Sequence, residues 1–280
     1  MADTTSKTVL ITGCSSGIGE CLATAIHYRA GYRVLATARQ QPDVDRLRGE
    51  GLDALQLDLA DSGSIAAAVD ESLARSDGRI DILINNGAYG QPGAVEDLSR
   101  EVLRAQFEVN LFGTHELTTR VVPVMRRAGG GRIIQISSIL GLVSLPFRGA
   151  YNASKHALEA LSDTLRLELR GSGIFVSLIE PGPIESRFRQ NAMRRFEDHI
   201  RAGESPHRQR YEAVRARLHS DRPDPFTLPP EAVLRKTLLA MERRNPRPRY
   251  LVTVPAHALA RLKRVLPDRL FDALVRGLSR

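Results

Sequence analysis

A chain of 280 residues with 42% hydrophobic content can bury one sizeable core. Its formal net charge of +8 is unevenly spread: from Pro181 onward there are 22 Lys and Arg against 11 Asp and Glu, which leaves −3 for the first 180 residues. The basic last third has little aromatic interleaving and no reading motif, which argues against nucleic acid, and no apolar run approaches the roughly 20 residues of a bilayer span.

The polar opening Met1-Ala-Asp-Thr-Thr-Ser-Lys7 shows no signal-peptide pattern and leads straight into the first apolar run, so a cytoplasmic protein is expected. Short runs rich in aliphatic and β-branched residues at 9–12, 34–36, 54–57, 82–85, 132–137 and 175–179 are bounded by Gly, Asp, Asn or Pro and predict buried parallel strands. Helical spacing between them, at 18–29, 62–73, about 100–127 and about 150–170, predicts an α/β fold. The expected architecture is one Rossmann-type doubly wound parallel sheet of about seven strands, with helices on both faces and ligands at the carboxyl ends of its strands.

After Pro181-Gly182-Pro183 the pattern loosens over 184–230 into polar, proline-bearing sequence of the kind that forms a mobile lid. A helix at 229–243 and a last strand at 250–254 complete a catalytic domain over 1–255. The tail, 256–280, sets Leu259, Leu262, Val265, Leu266, Leu270, Leu274 and Leu278 against Arg261, Lys263, Arg264, Arg269 and Arg276, with Pro267 as a joint. That spacing predicts two basic amphipathic helices, whose apolar faces pack on the sheet domain or a second subunit in preference to a membrane surface.

Thr12-Gly13-Cys14-Ser15-Ser16-Gly17-Ile18-Gly19 follows a strand and opens a helix. Glycines 13, 17 and 19 permit a tight turn and close backbone approach, and the helix N-terminus offers free N–H groups to a pyrophosphate. The second strand ends Thr37-Ala38-Arg39 with no carboxylate to take a ribose 2′-hydroxyl, so Arg39 is the candidate for a 2′-phosphate and NADP(H) is favoured over NAD(H). Asp58, followed by Leu59, is placed to accept from an adenine amino group, or to start the next helix. Cys14 and Cys21 share one loop-helix unit without CxxC spacing, the histidines are not clustered, and no metal is expected.

Tyr151 and Lys155 stand one helical turn apart, so both side chains leave the same face. A phenol with an ordinary pKa near ~10 needs about 4 kcal/mol of selective phenolate stabilisation to reach ~7, which a neighbouring ammonium and a positive nicotinamide ring could supply. Ser138, ending the fifth strand, can hold the substrate oxygen. A nucleotide turn followed in order by Ser, Tyr and Lys points to hydride transfer with Tyr151 as general acid or base.

With these segments the chain resembles the short-chain dehydrogenases/reductases. The landmarks TGCSSGIG, Asn85-Asn86-Gly87-Ala88, Asn110-Leu-Phe-Gly-Thr, Ser138-Ile-Leu-Gly, Tyr151-Asn-Ala-Ser-Lys155 and Pro181-Gly182-Pro183-Ile184 occur in the family's order over about 7–186. The resemblance implies a catalytic tetrad of Asn110, Ser138, Tyr151 and Lys155, with Asn110 holding a water that links Lys155 to solvent. It also implies cofactor contacts from Gly13, Ser15, Ser16, Gly17, Ile18, Gly19, Arg39, Asp58, Leu59, Asn86, Tyr151, Lys155, Pro181, Gly182, Ile184 and Ser186. One departure concerns Gly87-Ala88, where the family usually has Ala-Gly. The chain is similar to bacterial NADPH-dependent aldehyde reductases and to hydroxysteroid and retinol dehydrogenases, which implies a lipophilic carbonyl or alcohol substrate and a homo-oligomer. Alternatives are a hydroxysteroid or retinol dehydrogenase using NAD or NADP, an NADP(H)-binding sensor without turnover, and a membrane-surface protein acting through its tail.

Overall fold

The computed structural model of the protein describes residues 6–220, 222 and 224–278; most of the polar opening and the side chain of Leu278 lie outside what is described. Seven strands, β1 (Lys7–Ile11), β2 (Tyr32–Ala38), β3 (Asp53–Gln56), β4 (Ile82–Asn85), β5 (Gly131–Ile136), β6 (Ile174–Glu180) and β7 (Arg249–Leu251), form one sheet in the order β3-β2-β1-β4-β5-β6-β7. All six pairings are parallel. The strand order reverses between β1 and β4, so their carboxyl ends flank the crevice in which such sheets bind ligands.

Strand alternation builds two cores. Val9, Ile11, Val34, Ala36, Ile82, Ile84, Ile134 and Ile136 face a layer made by α1 (Gly17–His27), α2 (Gln41–Gly49) and α9 (Glu231–Glu242). Leu10, Leu35, Leu83 and Ile133 point the other way, into α3 (Ser62–Arg75) and α5 (Thr114–Arg127). A sheet covered on both faces needs apolar residues at every position, which is why its strands are continuous aliphatic runs. Leu10 and Ile11 are fully buried, each contributing about 1.5–3 kcal/mol, and Leu10→Ala would cost about 2–5 kcal/mol.

Three segments differ from expectation: 40–53, 100–127 and the last strand. The sequence reading names no element over 40–53, yet α2 forms there on two apolar residues, Val44 and Leu47, one turn apart and both fully buried. The stretch expected as one helix over 100–127 is α4 (Arg100–Phe107), a π-helical turn (Glu108–Gly113) and α5. The widened turn lets Gly113 meet the strand-end loop, where an added Cβ would lie 1.8 Å from the Leu59 carbonyl oxygen. The polar 184–230 region holds two helices, α7 (Phe188–His199) and α8 (Arg208–His219), joined by a small core of Ala192, Met193, Phe196, Tyr211 and Leu218. Tyr211 anchors it across the chain, its hydroxyl accepting from Ala94 N at 2.8 Å and donating to Asp97.

The expected last strand stops at Leu251 because Thr253 caps the next helix, its Oγ1 accepting from Ala256 N at 3.3 Å with Pro255 in the first turn. The tail is two helices, α10 (Val254–Val265) and α11 (Asp268–Leu278), with Pro267 between them. Ala256, Leu259, Ala260, Phe271 and Val275 pack on Ile139, Leu140 and Val143 after β5. Val265, Leu270 and Leu274 on the same helices are exposed. Among the described residues no helix is long and apolar enough to cross a membrane.

Candidate active site

The crevice begins where β1 ends. Thr12 Oγ1 accepts from Asn86 N at 2.9 Å and Gly87 N at 2.8 Å, while Asn86 Nδ2 donates to Thr12 O at 3.0 Å and Gly13 O at 3.1 Å. Asn86 thus sits behind the glycine turn and holds its shape. Gly17 has φ +59°, and a Cβ on Gly19 would lie 2.1 Å from Gly13 O, so the turn closes only without side chains at these positions. Ser16 caps α1 in an extended conformation without using its hydroxyl, and the Ser15 and Ser16 side chains have no hydrogen-bond partner among the described residues. Unpaired first-turn N–H groups, two free hydroxyls and Ile18 packed half-buried beneath them fit a dinucleotide pyrophosphate.

Arg46 on α2 braces this turn: it donates to Ser15 O at 2.8 Å and pairs with Glu20 and Glu50, each at 2.7 Å. Nothing in the local sequence marks this bracing role, since Ser15 and Glu20 lie 31 and 26 residues away and only Glu50 is a near neighbour. Arg39, past the end of β2, is exposed; its carbonyl accepts from Gln56 Nε2 at 3.1 Å, and its guanidinium has no hydrogen-bond or ion-pair partner among the described residues. It borders a groove of about 550 Å³ together with Gln56, Asp58 and Ser64. Asp58 folds into its own turn, Oδ1 accepting from Ala60 N at 2.9 Å; the helix-starting residue is Asp61, which caps α3 by accepting from Gly63 N at 2.8 Å and Ser64 N at 3.3 Å. Leu59 is buried beside Gly87, where an added Cβ would come within 2.8 Å of Leu59 Cδ1.

At the carboxyl end of β5, Ser138 starts a short 3₁₀ turn (Ile139–Gly141), its Oγ accepting from Leu140 N at 3.1 Å. Tyr151 and Lys155 come from the first turns of α6 (Gly149–Glu168). The Tyr151 phenol lies within the influence of Ser138, and Lys155 Nζ donates to Ile136 O at 2.8 Å while lying 5.8 Å from the phenol ring centroid. Burial pushes the phenol up to about 12 against the smaller pull of Ser138 and Arg148, and burial pushes the ammonium down to about 8 against the field of Glu159. Burial is the largest influence on the phenol and favours its protonated form. Asn110, in the π turn, is 1% exposed; its Nδ2 donates to Tyr89 O at 2.9 Å and Ser154 Oγ at 3.1 Å, and its Oδ1 accepts from Tyr89 N at 3.1 Å. It ties the loop after β4 to the helix that carries Tyr151 and Lys155.

The far rim comes from Pro181 to Ser186. Pro181 O accepts from Ile139 N at 2.8 Å, and a Cβ on Gly182 would sit 2.1 Å from Thr253 Oγ1, so the root of the tail rests on this loop. Ile184 bridges Leu228, and Ser186 Cβ lies 2.9 Å from where a Cβ on Gly17 would project. Phe188 sets its ring edge-on to Tyr151 at 5.3 Å. Beneath the site a buried knot escaped the sequence reading: Glu180 at the end of β6 and Glu159 on α6 both meet Arg249, with Arg249 Nη1 to Glu180 at 2.6 Å. Burial and the neighbouring Glu159 carboxylate push Glu180 up to about 7.

Known proteins share this sheet architecture. Residues 7–196 match the profile of the family described as short chain dehydrogenase. The oxidoreductase YbbO of Escherichia coli strain K12 is 44% identical over 272 residues, covering 97% of this chain and 94% of that protein. A short-chain dehydrogenase from Streptomyces avermitilis superposes with a TM-score of 0.79 at 30% identity over 99% of both chains. The actinorhodin polyketide ketoreductase, solved with NADPH, gives a TM-score of 0.72 at 27% identity over 90% of this chain and 97% of that one. Match, identity and geometry agree, and the chain belongs to the short-chain dehydrogenase/reductase family of oxidoreductases.

Proposed function

We propose that this protein is an NADP(H)-dependent reductase of aldehydes or ketones in which Tyr151 is the general acid. The observation that carries the reading is the half-buried Tyr151 phenol, beside Ser138 and one turn from Lys155, in a fold whose first strand ends in a glycine turn with free N–H groups. When bound, a nicotinamide dinucleotide supplies or accepts the hydride. Gly13, Ser15, Ser16, Gly17, Ile18 and Gly19 would hold its pyrophosphate, Leu59, Asn86 and the Pro181 to Ser186 rim its sides, and Arg39 a 2′-phosphate. Arg39 supports the NADP(H) choice because its guanidinium has no ion-pair partner among the described residues and β2 itself ends without a carboxylate.

In the reductive direction Ser138 Oγ donates a hydrogen bond to the carbonyl oxygen, and Tyr151 Oη gives that oxygen its proton. A phenol held protonated by burial suits this role. Lys155, anchored on Ile136 O, stabilises the phenolate left behind and helps to reprotonate it, while Asn110 holds the segments that carry both groups. Run backwards, the phenolate takes the alcohol proton. Tyr151→Phe should lower kcat by about 10²–10⁴-fold with NADPH binding retained, measured by loss of nicotinamide absorbance and by coenzyme fluorescence. Turnover within threefold of the unaltered protein would refute the assignment.

A further inference from the structure

Arg148 is the N-cap of α6, three residues before Tyr151, and its charge acts on the Tyr151 phenol. Its backbone is fixed by a bridge to Gly93 and by Arg148 O accepting from Asn152 N at 2.8 Å. The side chain is half-buried and makes no hydrogen bond or ion pair among the described residues. Its neighbours are already matched. Arg217 takes both carboxylate oxygens of Asp224, at 3.3 and 2.6 Å, and Arg189 pairs with Asp224 at 3.2 Å while donating to Ser220 O and Arg222 O at 2.8 and 2.7 Å.

Asp224 lies in the field of all three guanidiniums, and among the described residues Arg148 is the one of the three without a carboxylate partner, while its charge also acts on the Tyr151 phenol. Withdrawing an arginine from water without a counter-ion is costly; burial and the like charge of Arg217 push Arg148 down to about 10, and at neutral pH it stays charged. A planar fork of donors beside a reacting centre is matched by an oxyanion.

Resting on the reductase reading above, we propose that the carbonyl substrate carries an anionic group, a carboxylate or a phosphate, which docks on Arg148 while the carbonyl meets Tyr151 and Ser138. Such a substrate has two recognised ends, with an apolar middle against Phe188. Two matched pairs test it with NADPH: 4-carboxybenzaldehyde against 4-methylbenzaldehyde, and glyceraldehyde 3-phosphate against glyceraldehyde. The full-length protein should prefer the anion in at least one pair by about tenfold or more in kcat/KM, and the preferred pair identifies carboxylate or phosphate. Arg148→Met should cut that preference by about 10- to 100-fold, and Arg148→Lys should keep part of it, with coenzyme fluorescence confirming that each variant is folded. Equal kcat/KM within both pairs, or a preference that survives in both variants, overturns the role of Arg148 and leaves the reductase reading intact. Failure to turn over any of the four compounds removes both.

Discussion

The glycine turn and the α7–α8 cover face each other across the same crevice, yet they are specified in opposite ways. The turn is built from what is missing: at Gly19 a single added carbon would stand 2.1 Å from a backbone oxygen, and the chain there is held by main-chain and short side-chain bonds from Thr12 and Asn86. The cover is built from what is present. Tyr211 reaches Ala94 and Asp97, and Arg189 spans to Ser220, Arg222 and Asp224. Space restricts the residue type at a position to one or two choices, whereas a long side chain can find its partner in many ways. The coenzyme side should therefore fail at the smallest substitution, and the substrate side should change selectivity gradually.

The sharpest test of that contrast is Gly19→Ala, which should weaken NADPH binding by about 100-fold or more, because the obstructing atom is backbone. Tight binding retained in this variant would show that the turn can shift and would erase the distinction. Next, Arg39→Ala should weaken NADPH by about 10–100-fold and NADH by less than threefold, read from the two dissociation constants; equal losses would remove the 2′-phosphate role. On the cover, Phe188→Ala deletes a whole aromatic ring and should still change kcat/KM for a given aldehyde only about 3- to 30-fold, with the order of preferred substrates altered.

The smallest effect is on stability and concerns the knot below the site. Glu180 is raised from an ordinary carboxyl to about 7, so the folded state binds more protons than the unfolded one between about pH 4.5 and 7. Its stabilising contribution is complete below the unfolded value and disappears as pH rises through about 7. Denaturant melts at pH 5 and pH 8 should show a drop of about 1–3 kcal/mol that Glu180→Gln flattens. An equal drop in that variant would place the titration elsewhere.

Much of this was legible in the residues, for reasons tied to each position. Val9 to Ile11 and Ile82 to Ile84 could only be buried on two faces, and the Tyr151–Lys155 spacing puts both groups on one side of any helix. Other features depend on partners far away in the chain. Arg46 acts on Ser15, 31 residues back, and Arg249 joins Glu159 and Glu180, 90 and 69 residues back. Helix α2 rests on two apolar side chains, and the π turn at Asn110 exists because Gly113 must approach Leu59 O. No local pattern carries those requirements. The upward push of burial on the Tyr151 phenol was likewise not legible, because it depends on the sheet and the tail closing around it.

The transposed pair Gly87-Ala88 has a further meaning in this setting. A methyl at 87 would come within 2.8 Å of Leu59 Cδ1 and 3.2 Å of Thr12 Oγ1, so the identity of residue 59 and the order of these two small residues are bound together. Placing a methyl at 87 requires the Leu59 side chain to shift, which a slimmer residue at 59 makes unnecessary. The two substitutions should be harmful singly and tolerated jointly, a signature of epistasis that restricts the mutational routes by which the chain could return to the usual motif.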